Sequence, residues 1–268
     1  MIIDFHTHCF PDALAPRALA ALKHNAEQTQ MKPCTNATAS DTERNLRGNG
    51  IDIAVVCNIA TNIHQQTKVN DFAISLLQSS KCLIPLGSVH PDSTNKQEEL
   101  KRLRDNGIKG IKVHPDYVST EITDTRYSEI FSICEQTDMF VVTHAGWDPV
   151  SPNHVHATPD GILQVIRNHP KLKLVAAHMG GYAHSKEVLE TLVCSDVYLD
   201  TSLSSHRLDE RDNLLTILKK HRPDRILFAT DTPWSQTQNE LNFIYSANLS
   251  PEFTENILFR NAQNLLNI

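Results

Sequence analysis

Eight short apolar segments, separated by stretches of helical period, constrain the fold of this 268-residue chain more than any other feature. Near-continuous apolar strands that alternate with helices are typical of a parallel sheet with covered faces, because each crossover returns the chain in the same direction. Eight such units predict an α/β fold, a closed (β/α)8 TIM barrel, built as a single domain over residues 1–268. The segments are Ile2–Phe5, Ile51–Cys57, Leu83–Val89, Ile108–Val113, Phe140–Thr143, Leu172–Ala177, Val197–Thr201 and Ile226–Thr230.

Helix signals lie between these segments. Apolar residues recur at helical spacing in two stretches, 69–77 and 127–134. Thr158 and Ser250 each stand before a proline, which predicts a capped helix start, and we expect the last helix to run from Pro251 to Asn264. The interval Phe10–Gly50 is longer than one strand-helix unit. We expect an insertion after the first strand, with a helix over Ala13–Leu22, a polar segment over Asn25–Ser40 and a second helix, forming a lid or rim.

A doubly wound open sheet is the structural alternative. That fold usually carries a glycine-rich phosphate turn after its first strand. Here the first strand ends in His6-Thr7-His8 instead. This difference favours the barrel.

Composition excludes several classes of protein. Hydrophobic residues make up 40% of the chain and the net charge is −6, as in a soluble globular protein. There is no basic block for nucleic acid, no run of 18 apolar residues for a membrane span and no secretory signal, so we expect a cytoplasmic protein. Six cysteines lie without any C-x-x-C pair and are expected to be reduced, mostly core thiols.

Polar side chains terminate nearly every apolar segment. In a TIM barrel the carboxyl ends of the strands meet at one mouth, where the chemistry gathers. His6 and His8 are two residues apart, so they share a face of the first strand and can chelate one cation. The ends of three other strands carry His144, His178 and Asp231. Together these five residues predict a metal centre.

Lys112 and His114 also share a strand face, because they are two residues apart in GIKVHP. A lysine that points into a barrel is costly unless it is paired or deprotonated. Two functional interpretations stay open: a carboxylated lysine that bridges two metals, or a positive charge for an anionic substrate. The alternative is a side chain that reaches to the rim.

Candidate substrate-binding residues follow the strand ends. Trp147 and Trp234 each lie three residues after a predicted ligand, and they could wall an apolar or planar substrate or pack beneath loops. Arg207 follows the seventh strand and could pair with a substrate carboxylate, although such arginines are more often solvated. His114 could line the same pocket.

These residues together carry a family resemblance. The segments IIDFHTH, GIKVHP, VVTHAG, AAHMGG and FATDTPW, in this order, resemble the metal-dependent amidohydrolase superfamily, and within it the amidohydrolase-related branch that includes aminocarboxymuconate-semialdehyde decarboxylase. The resemblance implies that His6, His8, His144 and Asp231 bind metal. It implies that His178 binds a second metal or orients the attacking water. Lys112 stands where binuclear members place a bridging carboxylated lysine, and the number of metals stays open.

Two reactions follow as hypotheses. In the first, Zn²⁺ activates water to hydrolyse an amide, lactone or ester, and Asp231 accepts the proton and returns it to the leaving group. In the second, the cation serves a non-oxidative decarboxylation in which Arg207 or Lys112 pairs with a carboxylate. A metal-binding barrel without catalysis is a third possibility. The expected partner is a small-molecule substrate, with neither nucleic acid nor membrane, and the barrel could form a homodimer.

Overall fold

The computed structural model describes residues 1–29 and 31–268, which form eight parallel strands. These are β1 (Ile3–Thr7), β2 (Ile53–Cys57), β3 (Leu83–Leu86), β4 (Gly110–Val113), β5 (Phe140–Thr143), β6 (Leu174–Ala176), β7 (Tyr198–Asp200) and β8 (Ile226–Leu227). Each overlaps its predicted segment. The observed strands are mostly shorter: β3 and β8 end early, where the chain enters the loops of the mouth, whereas β2 and β4 begin later than predicted.

Eleven α-helices occur in the same described residues, most of them between strands. They are α1 (Ala15–Asn25), α2 (Ala39–Gly48), α3 (Gln66–Ser79), α4 (Lys96–Asp105), α5 (Thr125–Thr137), α6 (Pro159–Asn168), α7 (Ser185–Thr191), α8 (Arg211–Lys220), α9 (Thr237–Ser246), α10 (Pro251–Glu255) and α11 (Asn261–Leu266). Both predicted caps form: the Thr158 hydroxyl accepts from Gly161 N at 3.1 Å, and the Ser250 hydroxyl accepts from Phe253 N at 3.2 Å. No helix in the described ranges is both long enough and apolar enough to cross a bilayer.

The strands close into a barrel. Hydrogen bonding gives the orders β1-β2-β3 and β4-β5-β6-β7-β8, with parallel pairing throughout. A bridge between Gly87 and Ile111 joins β3 to β4, and Phe5 N donates to Phe228 O at 2.8 Å where β1 meets the end of β8. The predicted TIM barrel is confirmed.

Two apolar layers hold the barrel together. The inner layer includes Phe5 and Phe140, whose ring centroids lie 5.6 Å apart across the interior, and Leu266 of α11 packs into it as well. The outer layer lies between the strands and the helices and includes Ile130 and Phe131 of α5. Each fully buried side chain of this size stabilises the fold by about 1.5–3 kcal/mol. The polar mouth therefore rests on a rigid apolar base.

The predicted C-terminal helix is wrong in one respect, because it is not continuous. A π-helical turn over Asn256–Arg260 separates α10 from α11. The Ile257 carbonyl accepts from Phe228 N at 2.9 Å, which diverts it from the helical hydrogen-bond ladder. The turn thus fastens the end of the chain to β8.

The insertion after β1 forms the expected rim. Its first helix, α1, begins and ends two to three residues later than predicted. Phe10 N donates to Ala37 O at 2.8 Å, and Cys34 N donates to Pro233 O at 2.8 Å in the loop after β8. The predicted polar segment Asn25–Ser40 includes Gln30, which lies outside the described residues.

Candidate metal centre

A β-bulge in β1 aims the first two histidines into the barrel. Asp4 pairs with Ala54 and Thr7 pairs with Val56, so β1 carries one more residue than β2 between these pairs. Such an extra residue re-aims side chains next to active sites. Phe5 therefore packs in the interior and His6 also faces inward, although simple alternation would send them to opposite sides.

His8 faces a carboxylate in a way that requires a positive charge between them. Its Nδ1 lies 2.9 Å from Cys57 O, and because a carbonyl only accepts, Nδ1 must carry the proton. In the neutral ring Nε2 is then an acceptor, yet it lies 2.9 Å from Asp231 Oδ1. That carboxylate oxygen is buried and accepts no hydrogen bond from residues 1–29 and 31–268. Either an imidazolium proton or a metal cation resolves the opposition of two acceptors.

His6 points its free nitrogen at the same place. Its Nδ1 donates to Asp200 Oδ2 at 2.9 Å, which leaves Nε2 as an acceptor. Nε2 lies 3.6 Å from Asp231 Oδ1 and 3.2 Å from Lys112 Nζ. Metal-bound histidines usually donate their other N–H to a carboxylate or carbonyl, and both His6 and His8 do so here.

Lys112 does not reach to the rim. Only 1% of it is exposed, and its Nζ is held against His6 in the interior. Of the interpretations of this residue, the one with a side chain at the rim is wrong, because the β4 register directs Lys112 inward, away from outward-facing Ile111 and Val113. Its modification stays a prediction.

His144 and His178 form the other half of the centre. Ser202 donates its hydroxyl proton to Asp200 Oδ1 and so accepts from His178 Nδ1 at 2.8 Å. His178 Nε2 is then an acceptor, 3.2 Å from His144 Nδ1. The rings of His6 and His178 lie 5.3 Å apart, so the five predicted ligands meet in one cluster.

Burial sets the charge states of this cluster. Burial, together with the nearby Lys112, lowers the pKa of His6 to about 4. Burial also lowers the pKa of His144 and His178, so all three imidazoles are neutral at pH 7. Burial alone would raise the pKa of Asp231, but the neighbouring His6 and His8 outweigh it and lower the pKa to about 2. Neutral imidazoles beside an ionised carboxylate are the forms that bind metal.

Asp148 is a residue of the mouth that sequence reasoning missed. Its Oδ2 lies 3.5 Å from His114 Nε2 and 3.8 Å from His144 Nε2, and the two rings stack 4.2 Å apart. His144 Nε2 is buried without a hydrogen-bond partner in the described part of the chain. Asp148 follows His144 by four residues in the loop after β5, and that position was the available signal.

Asp200, at the end of β7, is a second carboxylate that contacts the centre. Besides His6, it accepts from the backbone N–H groups of His178 at 3.0 Å and Ser202 at 3.1 Å. Burial would raise its pKa, but His6 and His178 lower it well below the usual range. The sequence shows that Asp200 follows the apolar residues of β7. Its contact with His6 of β1 could not be predicted, because it forms only when the barrel closes.

The predicted substrate-binding residues lie around this mouth, and two of them already have partners within the protein. Trp147 is half-buried, donates from Nε1 to Pro152 O at 3.2 Å and stacks on Tyr182. The guanidinium of Arg207 lies over the ring of Tyr182, 5.1 Å from its centroid, and already pairs with Asp209 at 2.6 Å. Trp234 is half-buried in the loop that begins at Asp231. Their roles in binding stay predictions.

The residues present fit a divalent cation. His6 Nε2, His8 Nε2 and Asp231 Oδ1 offer two nitrogens and one oxygen within 4.8 Å of one another. Zn²⁺ accepts this donor set, with ligands about 2.0–2.2 Å away and a position left for water. A bound cation would give the unpaired acceptors at His8 and Asp231 a shared partner.

Comparison with solved structures agrees with the barrel fold. An uncharacterised TIM-barrel protein from Bordetella bronchiseptica is 19% identical, with a TM-score of 0.79 over 99% of this chain and 98% of that one. A putative 2-pyrone-4,6-dicarboxylic acid hydrolase from Pseudomonas putida is 17% identical, with a TM-score of 0.68 over 99% and 97%. A 5-carboxyvanillate decarboxylase from Novosphingobium aromaticivorans, complexed with manganese, is 15% identical, with a TM-score of 0.70 over 100% and 96%.

These likenesses establish the shared fold. No curated protein matches the chain in sequence. A family model described as amidohydrolase, however, matches residues 3–268. That match spans the barrel from β1 to the last helix, and the chain therefore belongs to the amidohydrolase family of enzymes.

Proposed function

We propose that this enzyme is a metal-dependent hydrolase that directs a water molecule to the carbonyl carbon of an amide, lactone or ester in a small molecule. The observation that carries the proposal is the 2.9 Å approach of His8 Nε2 to Asp231 Oδ1, two acceptors that need a positive charge between them. A divalent cation there would acidify water and polarise the substrate carbonyl.

Residues of both halves of the centre would hold metal. We assign His6, His8 and Asp231 to the first ligand set, which their proximity supports. The 3.2 Å approach of His178 Nε2 to His144 Nδ1 supports a role of this pair toward a second cation or a water molecule. We favour Zn²⁺ because imidazole and carboxylate ligands suit it, while a structural relative is complexed with manganese. Carboxylated Lys112 would bridge two cations, whereas unmodified Lys112 fits a single one.

Asp231 is the proposed proton acceptor. It is ionised at neutral pH, and it lies beside the ligand nitrogens of His6 and His8. It would take the proton from water and deliver it to the leaving group. His178, held by Ser202, would orient the water in an enzyme with one metal.

The test replaces the proposed proton acceptor and a proposed metal ligand in separate variants. Asp231→Asn should keep metal through the histidines and lose turnover, measured by proton release from esters and lactones and by amine release from amides. His6→Ala should lower the metal content, measured by mass spectrometry of the purified enzyme. Asp196→Asn, an exposed carboxylate, is the matched control.

Two outcomes would contradict the proposal. Full turnover by Asp231→Asn would remove the general-base role. A wild-type enzyme that contains no metal, and that Zn²⁺ and Mn²⁺ fail to activate, would remove the whole mechanism.

Non-oxidative decarboxylation is the second candidate, and the buried Lys112 favours it. Its Nζ supplies a cation 3.2 Å from His6, where a substrate carboxylate could bind. Arg207 supports this reaction less, because Asp209 already occupies its guanidinium. Release of CO₂ from aromatic and dienoic acids, without consumption of water, would select this reaction over hydrolysis.

The cellular compartment, the partners and the assembly of the enzyme are also proposals. Cys9, Cys57 and Cys134 are buried free thiols, which supports a reducing cytoplasmic environment. We propose a free small molecule as substrate, neither nucleic acid nor membrane as partner, and a homodimer as the assembly to test by light scattering.

A further inference from the structure

A second group of ligand-type side chains lies on the rim, outside the centre described above. His154 Nε2 lies 2.5 Å from Glu121 Oε1, and the rings of His154 and His156 lie 4.5 Å apart. One potential ligand atom from each of these three residues falls within 4.8 Å of the others. We call Glu121, His154 and His156 the rim cluster.

A buried carboxylate stands behind the rim cluster. Asp116 Oδ1 accepts from His156 Nδ1 at 2.9 Å and from His156 N at 3.3 Å, and the Asp116 side chain is fully buried. Its other oxygen, Oδ2, has no hydrogen-bond partner among the described residues. A carboxylate buried with one oxygen unpaired is costly unless positive charge lies close by.

This arrangement fixes which nitrogen of His156 is free. Because the carboxylate of Asp116 accepts, His156 Nδ1 carries the proton and Nε2 becomes an acceptor. A histidine that donates one N–H to a carboxylate and offers its other nitrogen is the arrangement found around protein-bound metals. Asp116 would thus orient His156 and raise its basicity toward a cation.

We propose that the rim cluster is a separate binding site for a first-row divalent cation, with Zn²⁺ as the best match. Two imidazoles and one carboxylate form a recognised Zn²⁺ ligand set, with the remaining position open to water. Ligand atoms about 2.1 Å from a shared ion lie within roughly 4.2 Å of each other, so small rotations of the exposed Glu121 and His154 complete the site.

The site joins two loops of the barrel mouth. Glu121 belongs to the connection after β4, and His154 and His156 belong to the loop after β5 that also carries Trp147 and Asp148. The loops already touch, because Ile122 N donates to His156 O at 2.8 Å. A bound cation would clamp this contact and restrict the loop that lies beside the catalytic centre.

The test counts Zn²⁺ by equilibrium dialysis of the full chain. The Glu121→Gln/His154→Ala double variant should bind one equivalent fewer than the wild type. Asp116→Asn should bind the same ion about 10- to 100-fold more weakly, as expected for loss of a carboxylate behind a ligand histidine. Hydrogen exchange of residues 148–157 should slow with Zn²⁺ in the wild type and stay unchanged in the double variant.

The controls separate this site from the central one. His24→Ala/Glu27→Gln removes another exposed histidine and carboxylate, 3.9 Å apart, and should leave the count unchanged. His8→Ala should lose a central equivalent and keep the rim equivalent. Equal counts in the wild type and the double variant would overturn the proposal, whatever the outcome at the central site.

Discussion

Exchange of Asp200 for asparagine should reverse the tautomer of His6 and weaken metal binding. Asp200 Oδ1 accepts from two backbone N–H groups, at 3.0 and 3.1 Å, and Oδ2 accepts from His6 Nδ1 at 2.9 Å. In the variant the amide oxygen must stay at Oδ1, because backbone N–H groups only donate. The new NH₂ group then faces His6 Nδ1, which must become the acceptor.

The expected magnitude follows from that reversal. A neutral His6 that accepts at Nδ1 carries its proton on Nε2, the nitrogen aimed at Asp231 and Lys112. Such a proton blocks the ligand position. Changes behind a metal-bound histidine cost about 10- to 100-fold in affinity, or roughly 1.4–2.7 kcal/mol. Since asparagine has nearly the same volume as aspartate, the fold should be preserved.

Two measurements check this prediction. Competition with a chelator gives the Zn²⁺ affinity of Asp200→Asn and of the exposed control Asp196→Asn. Nitrogen-15 NMR of the imidazoles reports which nitrogen of His6 is protonated. Wild-type affinity in a folded Asp200→Asn enzyme, with His6 still protonated at Nδ1, would refute the reasoning.

Three further predictions concern other parts of the fold. Burial raises the pKa of Glu240 from 4.5 to about 7. The protonated group therefore stabilises the fold fully below pH 4.5, and about 3 kcal/mol of the free energy of unfolding is lost as the pH rises to 7. Glu240→Gln should remove this decline from the unfolding curves of the metal-free protein. Gly146→Ala should destabilise the mouth and abolish activity, because φ is +85° and an added Cβ would lie 2.2 Å from Tyr182 N; wild-type melting would contradict this. A thiol reagent should modify exposed Cys194 first, while burial raises the pKa of Cys9, Cys57 and Cys134 to about 12 and keeps them unreactive until unfolding; early labelling of these three would be contrary evidence.

The side chains at the strand ends were predictable because, in a parallel barrel, the carboxyl ends of all the strands lie at one mouth, where the functional residues gather. Each apolar run had to end at one mouth, so His144, His178 and Asp231 could be assigned together with the histidine pair of β1. That reasoning needs only strand direction and period. It therefore predicted that these five side chains lie close together, without knowledge of any loop.

Other features depend on contacts that strand pattern does not encode. The bulge between Asp4 and Thr7 appears only when β1 is paired with β2. The position of Asp148 depends on the path of the loop after β5, and loop paths are set by tertiary packing. The pairing of Arg207 with Asp209 was visible as neighbouring opposite charges, but its effect on the availability of Arg207 depended on side-chain geometry.

The closure between β1 and β8 has a consequence for biosynthesis. Asp4 Oδ2 accepts from the Thr230 hydroxyl at 2.6 Å, although 226 positions separate the two residues. During translation, the histidines of β1 can therefore meet Asp231 only after the chain has been synthesised through β8. A nascent polypeptide cannot assemble the proposed coordination sphere, so this proposal makes metal acquisition a late step of maturation.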